Sequence, residues 1–446
     1  AYTYDPFGNL VTTVTHDASA AKPDITITLT YDLRGRKTAM SDPDMGSWSY
    51  VYDALGQLKR QTDAKGQVAT MAYDVLGRMT NRTEPDLVSN WTYDACTKGV
   101  GKLCQETSDN GYSRTYSYDS LGRVSQIATN IDTSYTIAYA YDSSGRLAGT
   151  TYPTGFATAN VYNAYGYFSQ VRKSDASVTY WQATALTALG RVTSETLGNG
   201  LTTTRNYDVL DRPVSLTAGS GGGNVEQLTY QYDLLGNVTQ RVDVVQGNLT
   251  ESFSYDSLNR LTQVSGSGLT TRTFNYDAFG NITYKSDVGT YTYPTSGQGR
   301  HAVSSISGTV NTSFTYDANG SLTAGYNRTL TYTSFNMPAT IAGNGYTFTY
   351  TYNADHERVR LINAVGTSIY LHPAGKGQLL YEKEIPASGP TEHKHYITAG
   401  SILVGVYISR SDATTETRYF HRDHIDSVAV ITNASGAVVE RFAYEA

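Results

Sequence analysis

The sequence predicts an all-β fold, an array of short hairpins that spirals into a hollow shell. Three observations lead there. Tyrosine supplies 38 of 446 residues, the string Tyr-Asp-x-x-Gly recurs along the chain, and apolar and polar residues alternate with period two around each copy. Helix bundles are excluded by the shortage of Ala/Glu/Lys/Leu stretches and the abundance of Gly, Thr, Ser and Tyr.

The repeat is the first element to justify. The string occurs as Tyr4, Asp5 and Gly8; Tyr31, Asp32 and Gly35; Tyr52, Asp53 and Gly56; Tyr73, Asp74 and Gly77; Tyr118, Asp119 and Gly122. It continues as Tyr141, Asp142 and Gly145; Tyr232, Asp233 and Gly236; Tyr276, Asp277 and Gly280; Tyr316, Asp317 and Gly320. Relaxed copies begin at Tyr93, Tyr162, Leu186, Tyr207, Tyr255, Tyr293, Tyr332 and Tyr352, giving 17 frames. Their spacing averages ~22 residues, within the range of short repeat units. The fifth position is Gly in twelve frames, and otherwise Asp211, Asn259, Asn336, His356 or Thr97. Apart from Thr97, these are the residue types that tolerate positive φ. The frame is therefore a turn with a left-handed residue, and its Asp is suited to accept backbone N–H bonds two residues on.

Strands flank the turn. Before it stand pairs such as Tyr50-x-Tyr52, Tyr116-x-Tyr118, Tyr230-x-Tyr232 and Phe274-x-Tyr276. Alternate strand residues share a face, so these rings form a stripe. After the turn comes an apolar residue, as at Leu58, Val124, Val238 and Leu322. Tyr suits such a strand because its ring packs while its hydroxyl finds water or a partner. Residues 1–365 read as one array of about 17 frames, with Gly219–Gly223 only a long loop, and residues 366–446 as divergent repeats. At ~4.8 Å per strand, ~34 strands would make a sheet ~160 Å wide. So wide a sheet must become a straight solenoid, a propeller or a spiral. The repeat is too short to make a propeller blade by itself. A thin wall, wet on both sides, suits the Tyr-rich composition.

Composition excludes several functions. Only 34 Lys+Arg and a net charge of −6 argue against nucleic acid as a partner. No apolar run is long enough to cross a bilayer, so no transmembrane helix is expected. The opening AYTYDPFGN shows no signal peptide and reads as cut from something longer.

Chemistry-bearing residues are few. Cys96 and Cys104 bracket a Gly-containing loop and could close a hairpin disulfide; the alternative is two part-buried free thiols. His393 and His395 share a strand face and could form a two-histidine metal edge, while His421, Asp423 and His424 lie close together in sequence. No third ligand has a fixed spacing, so a structural role is the simpler expectation. Arg at the sixth frame position, as in Arg36, Arg78, Arg123, Arg146, Arg191, Arg212 and Arg260, is expected to pair with frame aspartates of adjacent hairpins. No G-x-S-x-G or H-E-x-x-H motif is present. Neither an enzyme activity nor a cofactor is expected.

Through YDLRGR (Tyr31–Arg36), YDSLGR (Tyr118–Arg123) and YDSSGR (Tyr141–Arg146), the chain resembles the Rhs/YD-repeat family. The likeness spans essentially the whole sequence. The segment from Tyr419 to Ala446 looks like the element with which the family's core nears its end, with Asp426 where the family has Gly. The resemblance implies a β-cocoon, here partial, wound from YD hairpins. Bacterial Rhs polymorphic toxins and the cocoon of ABC-type toxin complexes enclose a C-terminal toxin in it, and teneurins resemble it as adhesion receptors. The family's self-cleaving segment and toxin would follow Ala446, so no residue here inherits a protease role. The implied function is a non-enzymatic shell in a secreted or surface-delivered protein. Its partners would be its own C-terminal effector and a delivery machinery. Two other readings stand beside it. One is an adhesin or carbohydrate-binding repeat; the other is a filament that self-associates through exposed sheet edges.

Overall fold

The structure is a computed structural model that describes residues 1–17, 23–188, 190–221, 223–373 and 378–444. Gly222 of the predicted long loop and the last two residues of the Tyr419–Ala446 segment lie outside the described residues. Among the described residues there are 42 strands and no α-helix. They form two large antiparallel sheets of 29 and 13 strands. The fold is all-β, as expected from the tyrosine content and the period-two flanks.

Local pairing follows from the turn. In one hairpin the strand Glu226–Tyr232 pairs with Val238–Asp243, Gln231 facing Gln240 and Tyr232 facing Val238. The register shifts between those two pairs. Asp233 accepts the Gly236 N–H at 3.2 Å and donates its own N–H to the Asn237 carbonyl at 3.0 Å. This is a type I turn followed by a left-handed residue, closed by a bulge. Gly236 sits at φ +93°. The other fifth-position glycines share the positive φ, and Asp211 (64°), Asn259 (60°), Asn336 (60°) and His356 (63°) adopt it without being Gly. In the distorted frame of Tyr93 the left-handed residues are instead Asp94 and Lys98.

The same turn also closes the opposite ends of several strands. Gly66 N–H reaches the Asp63 carbonyl at 3.0 Å, Gly111 reaches Ser108 and Gly155 reaches Tyr152. These turns have the spacing to Gly but lack the Tyr-Asp signature. Asp426 at φ +65° closes one further frame, Asp423–Asp426, within the segment where the repeat loosens.

The chain groups into two compact units. The first comprises residues 1–116, 130–133 and 273–364. In it, turns that close the far ends of early strands meet the Tyr-Asp turns of later ones: Lys65 pairs with Asp317 at 3.1 Å, Asn319 donates to Asp63 at 2.6 Å, and Asn110 donates to the Tyr352 carbonyl at 2.8 Å. Trp91, Tyr112, Ala354 and Val359 form a small core there. The second unit comprises 117–129, 134–272 and 365–446. Val171, Tyr180, Trp181, Leu197, Ile397, Ala399, Val404 and Tyr419 form a core cluster there, and the Tyr152 hydroxyl donates to the Tyr396 carbonyl at 2.7 Å.

Candidate functional site: the repeated turn and the buried polar clusters

The repeated turn is a three-part device. Its first part is the aspartate. Asp208 Oδ1 accepts the N–H of Leu210 and of Arg212, each at 2.9 Å. Asp233 does the same for Leu235 and Asn237 at 2.9 and 2.8 Å. The backbone and guanidinium hydrogen bonds from Arg212 hold the Asp208 carboxyl below its ordinary range.

The second part is the sixth-position arginine. Arg36, Arg123, Arg212 and Arg260 bind Asp32, Asp119, Asp208 and Asp256 through Nε at 2.7 Å, and Arg146 binds Asp142 at 2.8 Å. The expected pairing with adjacent hairpins is therefore corrected. The partner aspartate is four residues back in the same turn, where the bulge brings both side chains to one side. Arg78 bridges its own Asp74 and the neighbouring Asp94. In the frame of Leu186, Thr187 replaces Asp, and Arg191 turns to Asp211 at 2.6 Å.

The third part is the tyrosine. Arg36, Arg78, Arg123, Arg146, Arg191 and Arg212 each cover the ring of the next frame's Tyr52, Tyr93, Tyr141, Tyr162, Tyr207 and Tyr232, with guanidinium-to-centroid distances of 4.0 to 4.9 Å. The tyrosine hydroxyl then donates to the carbonyl just after the preceding turn. Tyr52 reaches Lys37, Tyr73 reaches Leu58, Tyr141 reaches Val124, Tyr162 reaches Leu147, Tyr232 reaches Pro213 and Tyr255 reaches Val238, all at 2.7 to 3.0 Å. Tyr293, Tyr316, Tyr332 and Tyr352 repeat the bond. At Tyr52, Tyr141, Tyr162 and Tyr232 a hairpin is thus stitched to the one before it by a ring, a cation and a hydroxyl together. Sequence reasoning missed the hydroxyl's partner, because a carbonyl leaves no mark in a sequence.

Cys96 and Cys104 are disulfide-bonded, with Cα atoms 5.5 Å apart. Gly99 lies beneath them, and a Cβ there would meet Cys104 Sγ at 2.7 Å.

The histidines divide between strand faces and turns. His395 is fully buried. Its Nδ1 donates to the Tyr407 carbonyl at 2.9 Å, so Nε2 accepts from the Thr154 hydroxyl at 2.7 Å. His393 Nδ1 lies 2.6 Å from the Tyr381 hydroxyl, and both histidine rings contact Tyr381. His421 is bonded to the Thr432 hydroxyl at 3.0 Å. Burial lowers His395 and His421 to about 4. Asp423 accepts the N–H groups of Ile425 and Ser427, as a frame aspartate does. His424 packs on the Tyr230 ring at 4.3 Å. Among the described residues no three His, Cys, Asp or Glu are grouped to hold a metal ion.

Two buried acid clusters were not legible in the sequence. In the first unit Glu106 and Arg114, 0 % and 1 % exposed, pair at 3.1 Å, and Tyr112 donates to Glu106 at 2.7 Å. Burial pushes Glu106 up, with the Arg114 charge opposing. In the second unit Glu226 is buried beside Asp243 and Asp423, and burial first, then those two charges, push it up to about 7.

Hairpin, bulge and stitch together define a β-hairpin repeat protein. Residues 52–87 match the RHS Repeat family and residues 163–290 the Teneurin YD-shell family. The Rhs/YD-repeat likeness holds for those segments, and the fold of the chain is that of the YD shell. A search of curated proteins gave no match. Among solved structures, TcdB2-TccC3 superposes on 100% of this chain at a TM-score of 0.80 and 16% identity. The Photorhabdus luminescens Tc holotoxin pore, carrying a TccC3 variant, superposes equally, also at 0.80 and 16%. The chain spans 27% and 26% of those two chains.

Proposed function

We propose that this chain is a non-enzymatic wall segment of a secreted or surface-delivered Rhs/YD-repeat protein, and that the wall encloses an effector belonging to the same protein. The observation that carries the reading is the superposition of the entire chain on TcdB2-TccC3. The site chemistry agrees with it, since frame aspartates close their own turns and frame tyrosines join neighbouring hairpins. The mechanism is mechanical. Two large hydrogen-bonded sheets, with tyrosine hydroxyls joining many neighbouring hairpins, would keep solvent components on one side and cargo on the other. No helix among the described residues is long and apolar enough to cross a membrane.

The glycan-binding alternative finds no support in the indoles. Trp48, Trp91 and Trp181 are 9 %, 9 % and 3 % exposed, which leaves none free to stack on a sugar. Self-association by a different route, through turn tips rather than strand edges, is open to Leu33, Val75, Val209 and Leu234, which are almost fully exposed there. Electron microscopy of the purified chain tests the wall reading. A curved wall around a lumen is expected; a solid rod or separate globules would overturn it. Light scattering over a concentration series tests the turn-tip route, with growth that disappears when Val209 and Leu234 are replaced by Lys.

A further inference from the structure

In the second unit a cavity of about 230 Å³ opens among the strands Glu226–Tyr232, Val238–Asp243 and Leu249–Tyr255 and the segment 423–444. Glu226 lines it, is 2 % exposed, and has no hydrogen-bond partner on either carboxylate oxygen. A carboxylate taken out of water costs several kcal/mol unless something compensates it.

The neighbouring charges compensate it only in part: Arg205 and Arg441, the latter on the cavity wall, favour the ionised form, but Asp423 and Asp243 and burial outweigh them. Asp423 is occupied by the N–H groups of its own turn, at 3.0 and 2.9 Å, and Asp243 by Gln246 at 3.2 Å. Arg241 is committed to Glu251, and Arg205 to Glu195 at 2.7 Å. Four carboxylates line the cavity against three guanidiniums, Arg241, Arg272 and Arg441, which leaves one negative charge over. His424 faces the Tyr230 ring on the same strand face as Glu226. The remaining wall is apolar, with Leu228, Leu249, Leu269 and Val430.

We propose that this cavity binds one alkylammonium or alkylguanidinium group, its charge on Glu226 and its alkyl stem against Leu228, Leu249 and Leu269. The volume, room for several waters, suits a group the size of one basic side chain. A divalent metal suits it less, because the other acids are already bonded and no three ligand side chains converge among the described residues. The same chemistry is offered by a small free cation and by a Lys or Arg side chain of a polypeptide. Glu226 is raised to about 7 by burial and by Asp423 and Asp243, so occupancy weakens as it protonates.

Calorimetric titration of the whole chain with n-butylguanidinium, against the neutral isostere N-butylurea, tests the site. Saturable binding of the cation alone is expected at about pH 8, roughly tenfold weaker at about pH 6. Glu226→Gln should abolish it in a folded protein. If that variant fails to fold, the pH profile of the unaltered chain decides. Acetyl-Gly-Arg-Gly-amide separates the two sources: binding tighter than butylguanidinium assigns the site to a polypeptide side chain, and weaker binding assigns it to a free cation. Absence of binding, equal binding of butylurea, or an affinity independent of pH would overturn the proposal.

Discussion

Replacing Tyr232 by Phe removes one oxygen from the repeat and leaves its ring in place. The hydroxyl donates to the Pro213 carbonyl at 2.7 Å, while the ring lies under the Arg212 guanidinium at 4.6 Å. A neutral intramolecular hydrogen bond is worth about 1 kcal/mol net, and the cation–ring contact of Tyr232→Phe survives. Loss of the bond should therefore raise local opening about fivefold. Two compact units make a single global unfolding energy ill-defined, so the suitable assay is native-state hydrogen exchange. Amides of the strands Pro213–Gly219 and Glu226–Tyr232 should exchange about fivefold faster. Strands of the first unit should be unchanged. Tyr232→Leu, which also loses the ring under Arg212, should exchange faster still. If Tyr232→Phe exchanges like the parent while Tyr232→Leu does not, packing alone sustains the repeat, and the hydroxyl explanation of the tyrosine content is wrong.

The remaining predictions concern the turn, the clip and the buried histidines. Gly236→Ala meets no atom within 4 Å but sits at φ +93°, so it should destabilise its hairpin by ~1–2 kcal/mol through backbone strain alone. Asn259→Gly at φ +60° should cost nothing beyond a few tenths of a kcal/mol, and exchange at the two hairpins compares them. Removing the disulfide with Cys96→Ser and Cys104→Ser should lower the opening energy of that hairpin by ~2–3 kcal/mol, given the short loop. Mass spectrometry with and without reductant checks the bond itself, and free thiols in purified native protein would refute it. His395 and His421 have folded values near 4 against ~6.5 when unfolded. The unfolded chain takes up their protons first, so their contribution is full above about pH 6.5 and is lost as the pH falls towards 4. Glu226, raised to about 7, acts in the opposite sense: its folded form holds the proton longer, so it lowers stability as pH rises from ~4.5 to ~7. His421→Asn should flatten the pH dependence of the local opening energy, read by hydrogen exchange in the strands Thr415–Arg422 and Val428–Asn433, between about pH 6.5 and 4.5 by up to ~1.4 kcal/mol per pH unit. An unchanged slope would contradict the burial of a neutral imidazole.

Sequence alone determined the hairpin and its period. A left-handed fifth residue, an aspartate that bonds its own turn and an alternating stripe are all local consequences of Tyr-Asp-x-x-Gly. Even Asp426, a departure from the family's glycine, takes the positive φ that the position demands. The arginines show where local reading stops. Their sixth position was plain, but whether they reach across to a neighbour or back to their own aspartate depended on the bulge that follows the turn. The buried pair Glu106–Arg114 is close in sequence, yet nothing in its spacing marked it as buried. Its third member, Glu357, lies 3.6 Å from Arg114 but far along the chain from it. The solitary Glu226 is likewise decided by what the segment 423–444 brings to it. Periodicity is a property of neighbours along the chain and can be read there. Desolvation and charge balance are properties of neighbours in space, and only the tertiary structure supplies those.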